Sequence, residues 1–191
     1  MNRTTLALSL ATALAACKRD EAPPPPPVSG PVPQLPALPP PGAPPAMGGG
    51  GGGDPARIAA LEQVVAKEPN NRQAWVQLGN DYFDTKQYQK AIASYGRALE
   101  IKGDDPDVLT DQGVMFRDIG QYDKALANFQ KANQIEPNHL QSLFNAGVVY
   151  AHDLKLPQKA AEAWNEVIRR NPQSPQAAQA RQALQELQGR R

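Results

Sequence analysis

The sequence predicts an all-α fold built from stacked helix–turn–helix units. Three glycines lie 34 residues apart, at Gly79, Gly113 and Gly147. Each glycine is followed three positions later by an aromatic residue, and these are Tyr82, Phe116 and Tyr150. A fixed period of this length is typical of helical solenoids, whose repeats stack on their neighbours and present an extended concave surface. The sequence therefore predicts a binding protein.

The first unit, residues 72–105, indicates how its two helices pair. Its first half carries packing residues at helical spacing, namely Trp75, Leu78, Gly79 and Tyr82. The predicted turn follows at Lys86 and Gln87. The second half presents an inward face made of Ala91, Tyr95, Ala98 and Leu99. The small residues Gly79 and Ala91 allow the helices to approach closely, and the aromatic rings fill the space beside them.

Two further units, residues 106–139 and 140–174, keep the same frame. The packing positions of the second unit hold Leu109, Gly113, Phe116, Ala125, Phe129 and Ala132. Those of the third hold Leu143, Ala146, Gly147, Tyr150, Ala160, Trp164 and Val167. Gly120 marks the turn between the helices of the second unit, since glycine suits the conformations that tight turns require.

The third unit is longer than the others by one residue. Ten positions separate Tyr150 from Ala160, whereas nine separate Tyr82 from Ala91. We expect the additional residue to lengthen the turn at residues 152–157. Pro157, the last residue of this segment, suits the first position of a helix because its missing N–H has no partner there.

Both ends of the stack carry segments that predict capping helices, which an open solenoid requires. Upstream, Asp54 precedes a predicted helix over residues 55–68. Downstream, Ser174 followed by proline is typical of a helix start, and it predicts a last helix over residues 175–188. This last helix is rich in glutamines that face outward, which indicates a solvated cap.

The segment Trp75-Val-Gln-Leu-Gly-Asn-Asp-Tyr82 resembles the opening signature of the tetratricopeptide repeat. The resemblance recurs in all three units. It implies an all-α, right-handed superhelical solenoid of helix–turn–helix repeats with capping helices, occupying a domain at residues 54–191. It also implies that the first helix of each unit lines a concave groove.

The N-terminal segment has the features of a secretory signal. Arg3 precedes an uncharged, mostly apolar stretch of 13 residues that is too short for a bilayer-spanning helix, for which about 20 are needed. The stretch ends in Leu14-Ala15-Ala16-Cys17, which resembles the lipobox of bacterial lipoproteins. The resemblance implies a signal peptide at residues 1–16, cleavage before Cys17 and lipidation of its sulfur. Cys17 is the only cysteine of the chain, so an internal disulfide is excluded.

The residue after the cysteine is Lys18, and by the sorting habit of enteric lipoproteins this implies the outer membrane. We therefore expect a lipid-anchored protein of the bacterial cell envelope, facing the periplasm. Residues 17–53 form the predicted linker. Its residues 22–53 include 13 prolines and eight glycines with no charged residue, a composition that predicts polyproline II and flexible coil.

The charge of the predicted domain argues against nucleic acid as a partner. Three of the 20 basic and two of the 19 acidic residues precede position 54, so 17 of each remain in residues 54–191. A domain without net positive charge has no surplus to neutralise phosphates. We likewise expect no small-molecule substrate.

The family resemblance assigns a candidate peptide groove to the first helices of the units. Its residues combine apolar side chains with amides and acids, and they are Val76, Asn80, Phe83, Asp84, Asp111, Val114, Arg117, Phe144, Asn145 and Val148. Apolar anchors beside amides suit an extended peptide or a helix laid in the groove. The alternative is a purely structural role, in which residues such as Phe144 and Val148 only pack against neighbouring helices.

Some family members bind a C-terminal carboxylate through lysine, asparagine and arginine in this groove. The matching positions here carry Val76, Asn80, Asp111, Gln141 and Asn145. Since the cations are missing, the sequence argues against a carboxylate clamp.

No motif for catalysis or metal binding is present. The two histidines, His139 and His152, do not belong to a known catalytic signature, and no calcium loop surrounds the acids at residues 104–111. The sequence therefore predicts a protein that is not an enzyme, with no catalytic residue, no metal site and no cofactor.

Three roles remain open at this point. The first is a scaffold that binds an envelope protein or peptide during assembly of an envelope complex. The second is a cytochrome c maturation factor, because residues 58–70, 75–82 and 103–109 resemble the periplasmic domain that presents apocytochrome. The third is an accessory module that regulates a cell-wall hydrolase or protease. Fold alone does not choose among them.

Overall fold

The computed structural model describes residues 53–189, which form eight α-helices and no β-strand. In chain order the helices are α1 (Pro55–Lys67), α2 (Arg72–Asp84), α3 (Tyr88–Ile101), α4 (Pro106–Asp118), α5 (Tyr122–Ile135), α6 (Leu140–Val148), α7 (Pro157–Arg170) and α8 (Pro175–Gly189). A π-helical turn, Val149–Asp153, continues α6. The all-α prediction is confirmed, and the helices fall within the units that the sequence defines.

Three predicted features lie outside the described residues: the signal peptide 1–16, the lipidation site Cys17 and the linker as far as residue 52. Residues 190 and 191, the last two of the predicted domain, lie outside them as well. Within residues 53–189, no helix combines the length and the apolar character needed to cross a membrane.

Side-chain caps mark the start of five of the eight helices, namely α1, α2, α4, α6 and α8. Asp54, Asn71, Asp105 and Ser174 each accept a hydrogen bond from a backbone N–H in the following first turn, at 2.9–3.0 Å. His139 caps α6 in the same way through Nδ1, at 3.4 Å. These bonds satisfy N–H groups that have no partner inside the helix.

The helices pack as consecutive hairpins. Helix α2 pairs with α3, α4 with α5, and α6 with α7, while α1 covers the first hairpin and α8 covers the last. The core lies between the paired helices, where Ala91, Ala125 and Ala160 are completely buried at equivalent positions. Gly79 and Gly113 meet the rings of Tyr95 and Phe129 at distances that leave no space for a side chain. The predicted close approach of the paired helices is therefore confirmed.

The turns between paired helices share one backbone conformation. Lys86, Gly120 and Lys155 occupy equivalent positions with φ of 58°, 77° and 56°. Positive φ of this size is the left-handed region, which glycine adopts without the steric cost that other residues bear. The predicted turns at Lys86 and Gly120 are confirmed.

The position of the additional residue in the third unit is corrected by the structure. All three hairpin turns contain three residues, at 85–87, 119–121 and 154–156. The turn predicted at 152–157 is therefore not lengthened. The π-helical turn at residues 149–153 takes up the additional residue instead, because a π turn holds one more residue than an α turn.

Candidate peptide-binding groove

The groove lies on the side of the stack formed by the first helix of each hairpin. Contacts between alternate helices run along this side, where α4 packs against α6 and α6 against α8. All ten predicted groove residues belong to α2, α4 or α6, and none of them is fully buried. Phe83 and Asp84 are exposed and the other eight are half-buried.

The apolar groove residues divide into two kinds. Val76, Val114, Phe144 and Val148 pack against buried clusters, and the rings of Phe144 and Trp164 lie 6.2 Å apart. Each of these side chains therefore contributes to packing between helices, as the alternative interpretation predicts, although none of them is fully buried. Phe83 belongs to no buried cluster of the described residues and is 38% exposed. It is the one exposed large hydrophobic residue on α2, α4 and α6 in the described part of the chain.

A buried tyrosine orients the side-chain amide of Asn80. The Tyr95 hydroxyl donates to Asn80 Oδ1 at 2.7 Å, although Tyr95 belongs to the outer helix α3 and is only 1% exposed. Burial, reinforced by the negative charge of Asp111, raises the pKa of the Tyr95 hydroxyl, so it stays protonated and donates. This bond fixes the orientation of the amide, and the Asn80 NH₂ group itself makes no hydrogen bond to residues 53–189.

The side-chain amide of Asn145, at the other end of the groove, is oriented by a half-buried glutamine. Gln141 Nε2 donates to Asn145 Oδ1 at 3.0 Å, four residues along α6. Gln176 of α8 in turn reaches Gln141 Oε1 at 3.5 Å. Among the described residues, the Asn145 NH₂ group has no acceptor. Both asparagines thus have an oriented oxygen and two open N–H donors.

Asp111 lies on α4, the central groove helix, whereas Asn80 lies on α2 and Asn145 on α6. It makes no hydrogen bond or ion pair with any residue that the structure describes. Burial raises the pKa of Asp111 to about 7, and the neighbouring carboxylates of Asp107 and Asp105 add to the shift while His139 opposes it. A half-buried carboxylate without a cation is costly, because it has lost water and gained no partner.

The cations near the groove are already paired. Arg117, a predicted groove residue, reaches Asp153 in the π-helical turn through Nε and Nη2, at 2.5 and 3.4 Å. Similarly, Arg72 at the start of α2 pairs with Asp105, the N-cap residue of α4. His139, the N-cap residue of α6, has its Nε2 2.9 Å from Oδ1 of Asp107 on α4. These pairs link each groove helix to the start or the end of the next groove helix, so Arg72 and Arg117 contribute to the stack more than to an open binding surface.

Two features of this side were missed by sequence reasoning. Tyr95 appeared only as a packing residue, although a buried tyrosine usually finds a partner for its hydroxyl and this could have indicated Asn80. Asp81 occupies the position where the next units have the core residues Met115 and Val149, and it is only 2% exposed. Arg57 of α1 supplies its partner, with Nε 2.9 Å from Asp81 Oδ2.

Two surface depressions are lined by residues outside the candidate groove. One of about 380 Å³ is formed by α1, α2 and α3 and includes Trp75 and Tyr82 in its lining. The other, of about 400 Å³, is formed by α5, α6 and α7 and includes Leu126 and Tyr150. Both are open and mostly apolar. Residues 53–189 hold no group of three or more histidine, cysteine or acidic side chains placed to bind a metal ion.

The stacked hairpins and the side-chain-lined groove define a helical-repeat scaffold of the kind that binds other proteins. The family is identified by sequence profiles of the tetratricopeptide repeat, which match residues 70–135 and 110–175. The chain belongs to the tetratricopeptide repeat family, and the predicted resemblance is confirmed.

Several solved structures share the fold. The crystal structure of MamA is 23% identical with a TM-score of 0.61, and the alignment covers 69% of this chain and 77% of MamA. A tetratricopeptide repeat protein from Parabacteroides merdae is 22% identical with a TM-score of 0.60, over 70% of this chain and 53% of that one. The Arabidopsis OM64 tetratricopeptide domain is 19% identical with a TM-score of 0.53, over 68% and 98% of the two chains.

One curated relative matches a shorter segment. The bifunctional subunit NrfFG of the formate-dependent nitrite reductase complex of Haemophilus influenzae is 31% identical over 52 residues. The match spans 27% of this chain and 14% of the relative. It is thus limited to a small part of that protein.

Proposed function

We propose that this protein is a non-catalytic scaffold of the bacterial cell envelope, anchored through lipid on Cys17, which binds a segment of another envelope protein in its groove. The repeat fold supports a protein-interaction role. The observation that carries the groove assignment is a surface with exposed Phe83 and the open Asn80 amide on α2 at one end and the open Asn145 amide on α6 at the other. The lipobox and the proline-rich linker support the anchor, since such a linker would hold the domain away from the lipid.

The groove assignment is tested by photo-crosslinking in living cells. A photoreactive phenylalanine is placed at Phe83 in the groove, or at Ile101 on the outer helix α3, which has the same 38% exposure. We expect a discrete adduct from position 83 and none from position 101. With the photoreactive residue at Asp84 instead, an otherwise wild-type chain should also form an adduct. A chain that combines this probe with Phe83→Ala, Val114→Ala and Phe144→Ala should lose the adduct while its helical circular dichroism is kept. Equal labelling from positions 83 and 101 would reject the groove as the binding surface.

The anchor is tested separately. Cells fed an alkyne analogue of palmitate should label the wild-type chain, and the Cys17→Ser variant should be unlabelled and released from the membrane fraction. Membranes separated by density would then locate the protein, and we expect it with the outer membrane. Labelling that persists in the variant would contradict lipidation at Cys17.

A second candidate is supported by the match to a subunit of a nitrite reductase complex. In this role the groove would present a segment of an apocytochrome during cytochrome c maturation. Fluorescently labelled peptides that contain a haem-attachment motif would be titrated against the full chain. Saturable binding that the triple groove variant abolishes would favour this role, whereas binding that survives in that variant would argue against it.

A further inference from the structure

We propose that the groove takes an extended peptide segment with a lysine or arginine side chain lying against Asp111. Asn80 and Asn145 donate to backbone carbonyls of this segment, and apolar residues beside the cation contact Phe83 and Phe144. This inference rests on the proposed function, because it specifies the chemistry of the segment that the groove would bind.

The charge of the domain is divided between its two sides. The groove helices α2, α4 and α6 contain five acidic and two basic residues, whereas the outer helices α3, α5 and α7 contain four acidic and seven basic residues. Their net charges are therefore −3 and +3. One of the five acids, Asp81, is buried and paired with Arg57 of α1, and without it four acidic and two basic residues leave the groove helices at −2. The domain as a whole is neutral, so its overall composition hides this separation. A segment entering the groove meets negative charge, which favours a cationic partner.

The local pairing makes this preference stronger. The only two basic residues on the groove helices, Arg72 and Arg117, are paired with Asp105 and Asp153. Asp111 has no such partner among residues 53–189, and Asp84 is exposed nearby on α2. An incoming ammonium or guanidinium group would supply the partner that the fold does not give to Asp111. A charge-assisted hydrogen bond of this kind is stronger than a neutral one.

The two asparagines specify an extended backbone. Tyr95 and Gln141 donate to their side-chain oxygens, which leaves the NH₂ groups to act as donors toward a ligand. Peptide carbonyls are acceptors, and a chain running from α2 across α4 to α6 offers them on both sides of the residue that meets Asp111. An acidic segment would instead place its carboxylates against Asp111 and Asp84, where like charges repel.

The test is a selection with a phage-displayed library of random dodecapeptides against full-length protein purified from membranes. We expect selected peptides to be enriched in lysine or arginine flanked by apolar residues. The Asp111→Asn variant should bind the selected peptides about tenfold more weakly, as expected when one partner of a close charge pair is removed. Asp123→Asn, the same substitution on the outer helix α5, should leave their Kd unchanged. The Asp111→Lys variant should shift the selection toward acidic peptides.

The outcomes separate this inference from the groove assignment. Peptides that bind the Phe83→Ala, Val114→Ala, Phe144→Ala variant as tightly as the wild type would reject the groove itself. Peptides that need the groove but show no enrichment in cations, or that bind Asp111→Asn unchanged, would reject only the role of Asp111. Thermal unfolding of each variant separates a lost contact from a lost fold.

Discussion

The indole ring of Trp164 lies against the backbone of Gly147, so closely that a Cβ atom on Gly147 would be 2.3 Å from Trp164 Nε1. The indole N–H donates to the carbonyl oxygen of Phe144 at 3.2 Å, which holds the ring in this position. Gly147 is therefore required by packing rather than by backbone conformation. The third hairpin closes around this contact.

Replacing Gly147 with alanine should destabilise the domain by about 2–3 kcal/mol, because the ring of a buried tryptophan must move to make space. Urea unfolding followed by circular dichroism measures the loss. Gly96→Ala is the matched control, since Gly96 is also helical and its nearest neighbour would be 3.5 Å from the new Cβ. We expect that variant to be as stable as the wild type or up to about 1 kcal/mol more stable. Similar losses in both variants would contradict the packing role of Gly147.

The hairpin turns predict opposite effects for two substitutions at equivalent positions. Lys86→Gly should stabilise the domain by about 0.5 kcal/mol, because glycine relieves the cost of positive φ but loses more chain entropy on folding. Gly120→Ala should destabilise it by about 1 kcal/mol, although nothing lies within 4 Å of the new Cβ, so the effect is due to φ alone. Thermal melts of the two variants check the signs. Stabilisation by Gly120→Ala would show that the turn changes conformation.

The ion pair between exposed Arg57 on α1 and buried Asp81 on α2 predicts an asymmetric response. Asp81→Met should leave stability unchanged or raise it by about 1 kcal/mol, because methionine fills the equivalent position at Met115 and Arg57, at 44% side-chain exposure, can return to water. Arg57→Met should cost about 2 kcal/mol, since it leaves the Asp81 carboxylate buried without its cation. Denaturant titrations at neutral pH compare the two variants. A larger loss in Asp81→Met than in Arg57→Met would reverse this interpretation.

Asp111 predicts a pH dependence of stability. Its pKa is raised from 3.8 to about 7 in the folded protein, so the folded state holds its proton more tightly than the unfolded state does. Protonated Asp111 therefore stabilises the folded state. This contribution to the free energy of unfolding is complete below about pH 4 and is lost as the pH rises through 7. Besides burial, Asp107 on α4 and Asp105 just before α4 raise the pKa of this carboxyl, and His139 before α6 opposes them. Tyr95 on α3 is the titratable group whose own pKa Asp111 raises in turn.

The measurement is the free energy of unfolding of the wild type and of Asp111→Asn at several pH values between 4 and 8. The wild type should lose stability relative to the variant as the pH rises, because the amide cannot ionise. The difference should level off above the pKa of Asp111. A constant difference across this range would mean that Asp111 ionises equally in the folded and unfolded states.

The repeats and most helix boundaries could be predicted because their causes are local. Asp54, Asn71 and Ser174 cap the first turns that follow them, and the helical spacing of glycines and aromatic residues identifies the packed face. The predicted capping helices, residues 55–68 and 175–188, differ from the observed ones by one residue each. The ten groove residues could be assigned to their helices for the same reason.

The sequence by itself thus determined the family, the number of hairpins and the side of each helix that faces the core, because these depend on residues within one turn or one period of each other. The tertiary structure decided which side chains meet between helices. Tyr95 reaches Asn80, Arg117 reaches Asp153, and the surplus residue of the third unit enters the π-helical turn at 149–153. It also decided that Asp111 has a raised pKa, because that depends on burial and on charges brought together by the stacking of neighbouring repeats.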